Sequence, residues 1–300
     1  MQKFLTIFFL TIASSYFCSG QGLENNRTFG ERLSVRKTYQ SLHSRNDPAI
    51  LTFTIPEEAP NSWLVQAGIA YDLVDNPEST LQIRPFAEFH RNSLVAREQF
   101  NYQAGVNIEF QNQVDIYDPN DKLYHNFTGN LRFNENRIRS TSSIVSNFYY
   151  SPTFRYVQGS PFQFKPGDFI SIGSILELNY LIYMGLEMDN RVQVLETNQE
   201  GSIIRGMGRV NAQFLLFPAL LRERIRLDMD YQLRRQFFST VEENLSINPY
   251  IFSGSFNYVI LEGSKFSPSL LLGLDYTRGE DPNNNFERQA FWALSLKFTL

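Results

Sequence analysis

Cysteine is almost missing from the 300-residue chain: Cys18 is the only one. That excludes a disulfide framework and a cysteine-based zinc site. Histidine is nearly as scarce, and His43, His90 and His125 show no metal-ligand spacing. No cofactor is expected. Neither sign of charge dominates, since 27 Lys+Arg stand against 31 Asp+Glu, a net −4. The basic stripe of a dedicated nucleic-acid binder is therefore lacking. After residue 20 no apolar run approaches the roughly 20 residues needed to cross a bilayer as a helix. The longest, Phe214 to Leu221, contains Pro218. Helical spans are thus excluded as well.

Apolar residues, by contrast, make up 42% of the chain and aromatic residues 15%, mostly 27 Phe and 15 Tyr. That content rules out wholesale disorder. The first twenty residues read as a targeting segment. Lys3 is a short positive start, Phe4 to Ala13 an apolar core, and Cys18-Ser19-Gly20 a small-residue site that predicts a cut before Gln21. A lipidated Cys18 is the rival reading, but Tyr16 and Phe17 stand where small residues belong. Residues 21–48 are polar and irregular and are expected to form a periplasmic N-terminal extension.

From Ala49 onward the pattern alternates with period two, the strand period. Phe100, Tyr102, Ala104, Val106, Ile108 and Phe110 share one face, while Asn101, Gln103, Gly105, Asn107, Glu109 and Gln111 share the other. Similar stripes give about twelve strands, with ten to fourteen possible: 49–56, 62–73, 80–91, 98–111, 123–134, 138–150, 168–188, 203–217, 222–236, 245–260, 266–277 and 289–300. The stretch 168–188 is too long for one crossing. Turn signals such as Asp118-Pro119-Asn120-Asp121 and Glu262-Gly263-Ser264 separate them.

Alternation alone fits a soluble sandwich as well as a membrane barrel. Three features favour the barrel. Aromatics gather near strand ends (Trp63, Tyr71, Phe110, Tyr149, Tyr150, Phe237, Phe238, Tyr276, Phe291, Trp292), where interface girdles need them. The last strand, 289–300, alternates to the end of the chain, with Trp292, Leu294, Leu296, Phe298 and Leu300 on one face. Connections 189–202, 237–244 and 278–288 read as long, and 218–221 and 261–265 as short, the topology of long external loops and short periplasmic turns. In these features the region 49–300 resembles the outer-membrane β-barrels of Gram-negative bacteria, and its Phe/Tyr/Asn-rich style resembles those of the Bacteroidota. The resemblance implies an all-β, transmembrane, antiparallel up-and-down barrel in the cell outer membrane. It implies contact with outer-membrane lipid and lipopolysaccharide, and recognition of strand 289–300 by the barrel-assembly machinery.

The expected lumen face carries Arg84, Glu88, Glu109, Arg132, Glu177, Arg209, Arg226, Asp228, Asp230, Arg234, Asp275 and Lys297, together with Arg139, Glu187 and Arg205. Charges of both signs can line a narrow path for small polar solutes, the leading expectation. They can also pair and fill a closed structural or surface-binding barrel. A soluble secreted β-protein is the third reading. Catalysis is not expected. The twelve-stranded outer-membrane phospholipases use a His-x-Ser pair on one strand face, and Ser93 has the wrong parity relative to His90.

Overall fold

A computed structural model of the chain describes residues 28–38, 49–54, 62–75, 81–93, 98–115, 122–138, 140–155, 165–193, 200–221, 223–241, 247–261, 269–281 and 287–299. The expected signal segment 1–20, most of 21–48, Arg139 and Leu300 lie outside these residues. The described residues 28–32, with the one-turn helix Phe29–Arg32, belong to one unit, and the described residues from Leu33 onward to another.

The second unit is a sheet of β1 (Leu33–Arg36), β2 (Ala49–Thr54), β3 (Ser62–Tyr71), β4 (Val74–Asp75), β5 (Leu81–Asn92), β6 (Gln99–Asp115), β7 (Lys122–Asn136), β8 (Thr141–Arg155), β9 (Ile170–Ile172), β10 (Leu176–Gln193), β11 (Gly201–Leu216), β12 (Ile225–Ser239), β13 (Tyr250–Leu261), β14 (Ser269–Asp281) and β15 (Glu287–Thr299). Twelve of them, β2, β3, β5 to β8 and β10 to β15, pair antiparallel in order, and β15 pairs back to β2. A single sheet closed on itself leaves no second sheet to pack against, so the sandwich alternative falls.

Each strand puts successive side chains on opposite faces, and the two faces are sorted inversely to those of a water-soluble domain. On β6, Asn101, Gln103 and Asn107 are buried inside the barrel, while Tyr102, Ile108 and Phe110 are exposed outside. On β10, Glu187 and Asp189 are buried while Met184, Leu186 and Met188 are exposed. Leu131, Phe148, Val210, Leu233, Phe256, Leu272 and Leu294 continue the exposed apolar surface around the circumference. The core of the molecule is its polar interior. The buried apolar cluster found among the described residues is the pair Ala70 and Phe86.

Aromatic rings stack across neighbouring strands on the outer face. Phe127 lies 6.4 Å from Phe110 and 6.2 Å from Phe148, and Tyr276 lies 4.7 Å from Trp292. Such cross-strand ring pairs contribute about 0.5–1.5 kcal/mol beyond area burial. Tyr149 departs from the expected girdle: it is 4% exposed and points into the barrel. Its strand is Ser-rich, and the weak apolar alternation there hides the parity that Val145 and Asn147 share with it.

The expected contrast in loop length is also absent. β10 runs to Gln193 and β11 starts at Gly201; β14 ends at Asp281 and β15 starts at Glu287. Backbone pairing thus outlasts the amphipathic pattern, because polar side chains do not end a ladder. The longest connection between wall strands, 156–175, lies at the end where β15 finishes. It contains β9, whose Ile172 pairs with Leu176. The overlong stretch 168–188 is therefore a small hairpin, turned at Gly173 (φ 63°), followed by one wall strand.

The first wall position is composite. Arg36 of β1 pairs with Gly68, and Ile50 of β2 pairs with Gln66, so the two short strands follow one another along the same side of β3. The segment expected as an extension thus gives Leu33–Arg36 to the wall. Among the described residues the strand pairing that closes the barrel is Leu51, Ile50 and Ala49 against Leu296, Lys297 and Phe298, and β1 also lies against β15.

Candidate functional site

The chemistry of this barrel lies in its interior. The twelve lumen residues of the sequence expectation share parity with the buried face of their strands, and the structure gathers most of them into separate clusters.

The first cluster centres on Glu187 of β10. Its Oε1 accepts from Arg205 Nη1 at 3.0 Å, and its Oε2 accepts from Arg234 Nε at 3.3 Å. All three side chains are at most 3% exposed. The adjacent Asp189 faces Arg191 at 3.7 Å and Arg205 at 3.9 Å. Arg132 of β7 reaches the same region but donates to neutral groups. Its Nη1 lies 3.3 Å from Asn130 Oδ1 and, with the Asn147 amide turned so that its oxygen faces donors, 2.6 Å from that oxygen. The Tyr149 hydroxyl donates to the same Asn147 oxygen at 2.9 Å. Tyr149 can lie flat because Gly185 sits beneath it: a Cβ there would stand 2.5 Å from Tyr149 Cδ1. Removing one member of such a dry ion pair costs roughly 3–5 kcal/mol, because the partner charge stays buried.

The second cluster centres on Lys297 of β15. Its ammonium donates to Asp275 Oδ1 at 2.5 Å, to Asn257 Oδ1 at 2.8 Å and to the Ser255 hydroxyl. Asp275 also accepts from Ser255 at 2.5 Å and from Ser295. Asn257 Nδ2 donates onward to Asp228 at 2.7 Å, which accepts from Gln213 at 3.0 Å. Lys297 must cross β14 to reach β13, and it does so over Gly273. A Cβ on that glycine would lie 2.8 Å from Lys297 Cε. Next to this cluster Arg209 Nε donates to Asp230 at 2.6 Å, and Asp230 also accepts from Gln232 at 2.7 Å.

Across the barrel, Arg84 of β5 bridges Asp72 at 2.5 Å and Glu109 at 3.2 Å, and Asn107 donates to Glu109 at 2.8 Å. Two positions further on the same face, Glu88 accepts from the Thr38 hydroxyl at 3.1 Å and meets His90 Nε2 at 3.1 Å. This is a carboxylate–imidazole pair of the kind that orients a catalytic base. His90 is 1% exposed, and its Nδ1 has no hydrogen-bond partner. Among the described residues no hydroxyl is held at that nitrogen.

Glu177 and Arg226 stay outside these clusters. Glu177 is half-buried near the start of β10, and Arg226 donates to the backbone oxygen of Glu223 at 3.2 Å near the end of the barrel wall. A search for charges misses the neutral part of the interior. Asn101, Asn107, Asn126, Thr128, Asn130, Asn134, Asn136 and Asn257 are all buried there. The period-two pattern carried that signal, since Asn alternates with apolar residues along β6 and β7.

No protein-family model matches the chain, and no curated protein matches it either. Among solved structures, one from work on the mechanism of in-meso crystallisation of membrane proteins is similar at 10% identity. The match covers 84% of this chain and 82% of that one, with a TM-score of 0.39.

Proposed function

We propose that the chain is an outer-membrane barrel whose interior is a self-paired polar core, serving as a closed structural or surface-binding unit. The outer apolar surface supports the membrane setting. Exposed Leu, Ile, Met and Phe around a whole circumference far exceed the patch that a soluble monomer carries. Outward charges support an orientation. Arg91, Arg137, Arg235, Arg278 and Arg288 all lie near the strand ends remote from the end of β15. Arg91 stacks on Phe100 at 4.5 Å and Trp63 at 5.9 Å, and Arg137 on Tyr102 at 5.2 Å. Arginine among rings suits a headgroup layer rich in phosphate, such as that of lipopolysaccharide. Strand β15, with Trp292, Leu294 and Leu296 outward, is what the barrel-assembly machinery would engage.

The dryness of the Glu187–Arg205–Arg234 cluster carries the closed reading, since side chains at 3% exposure or less do not line a water-filled path. A second reading, passage of small polar solutes, draws support from β12. There Arg226, Asp228, Asp230, Gln232 and Arg234 make an inward stripe with no apolar break. Purified protein in a planar bilayer separates the two. The closed barrel stays electrically silent, whereas discrete conductance steps would establish a pore. Retention in the pellet after a carbonate wash tests the membrane setting common to both.

A further inference from the structure

Two of the outward arginines sit on one continuous patch of wall. The register sets Arg91 of β5 against Phe100 of β6, and the Arg137 amide donates to the Phe100 carbonyl at 2.9 Å, so both arginines flank Phe100 at the rim. Phe89 and Tyr102, paired in register, form the next row from the rim. The three rings pack together, with centroids 6.1, 5.4 and 5.1 Å apart. Arg91 lies over Phe100 and Arg137 over Tyr102, each drawn to the negative face of its ring.

The third row changes character. Ala87 pairs with Ala104, and both are exposed. Ile69 and Phe133 stand on either side of them. Two one-carbon side chains between larger neighbours make a shallow floor below the ring cluster, where a methylene chain can lie close against the backbone.

Each guanidinium is held by one carboxylate: Arg91 Nη2 donates to Glu98 at 3.0 Å, and Arg137 Nε to Glu135 at 3.1 Å. Among the described residues Arg137 thereby keeps both terminal nitrogens, the fork that takes a phosphate bidentately, on a side chain 57% exposed. One strand separates the two arginines, which sets their backbones about 10 Å apart. A disaccharide with a phosphate at each end can meet both, whereas a glycerophospholipid offers a single phosphate.

We propose that this patch binds a doubly phosphorylated, acylated glycolipid of the lipid A class. One phosphate goes to each arginine, the rings lie beneath the headgroup, and an acyl chain runs over Ala87 and Ala104. The inference rests on the membrane reading above, in which this rim meets the phosphate-rich headgroup layer. A soluble phosphate would use the arginines alone and leave the rings and the alanine floor without a role.

Native mass spectrometry of the folded, full-length barrel in detergent tests it, with heat-modifiable gel migration to verify the fold of each variant. Diphosphoryl lipid A should occupy one saturable site, the monophosphoryl form should bind more weakly, and phosphatidylglycerol more weakly again. Arg91→Gln combined with Arg137→Gln should weaken diphosphoryl lipid A binding about ten- to thirtyfold. Arg235→Gln with Arg278→Gln, on the same rim but other strands, should leave it nearly unchanged. Ala104→Phe should weaken it with both arginines in place. Equal wild-type affinity for the two lipid A forms overturns the proposal without any variant, as does unchanged affinity in the Arg91 and Arg137 double variant. Displacement of the lipid by inorganic phosphate at equal concentration overturns it too, because the patch would then be a general anion site. A chain that carbonate strips from the membrane ends the membrane reading and this inference with it; one that stays in the pellet yet fails these comparisons ends this inference alone.

Discussion

The Glu187 and Lys297 clusters fill the same barrel by different means. Around Glu187 the partners are charges, Arg205 and Arg234, and every member is nearly dry. Around Lys297 one carboxylate shares the ammonium with an amide and a hydroxyl, and Asp275 has two serine donors besides. The first arrangement is rigid but unforgiving, since each charge depends on another charge. The second spreads its demands over neutral groups that can satisfy what remains after a loss.

Substitutions can break or sharpen that contrast. Glu187→Gln should have the largest effect, a loss of about 3–5 kcal/mol, because two buried guanidinium groups lose their carboxylate together. Urea unfolding into and out of lipid vesicles measures it. A change on the outside comes next: Leu131→Lys should cost about 2–4 kcal/mol in a bilayer, and much less in a micelle that lets the ammonium reach water. Equal costs in the two media would contradict the lipid-facing assignment. Lys297→Met should cost less, about 1–3 kcal/mol, because Ser255 and Ser295 continue to donate to Asp275. Smallest is Gly273→Val, about 1–2 kcal/mol from forced repacking where Lys297 crosses. Combined with Lys297→Ala, it should cost less than alone, since the crossing side chain is gone and Asn257 Oδ1 is what still stands in the way. A double-mutant cycle reads that coupling.

Most of the wall was legible in the sequence because it rests on parity alone. Glu88, Glu109, Arg132 and Asp228 fall on the inner face wherever their strands begin, since a slip of one residue would turn Phe and Leu inward. Partner choice was not legible. Glu187 meets Arg234 only because one strand stands between theirs and the register sets them diagonally, and no local pattern encodes that. Leu33–Arg36 escaped for another reason: four residues are too few for alternation to register, and they pair with a strand that follows much later in the chain. Loop lengths were misjudged because polarity was read as the end of a strand, whereas Asn190 and Arg191 still pair with Ser202 and Gly201.

Among the described residues the clasp between Ala49–Leu51 and Leu296–Phe298 is brief, which makes the described wall unequal around its girth. Elsewhere neighbours such as β10 and β11 are zipped from Leu176 to Arg191. A tube with one short fastening does not soften evenly under heat or pulling; it parts along that line, and the amides of Leu51 and Leu296 should exchange with solvent deuterium before those at the middle of β10. On the proposed membrane setting, the same line is where the tube would be sealed last, so insertion into a bilayer and rupture out of it would meet at a single stretch of wall.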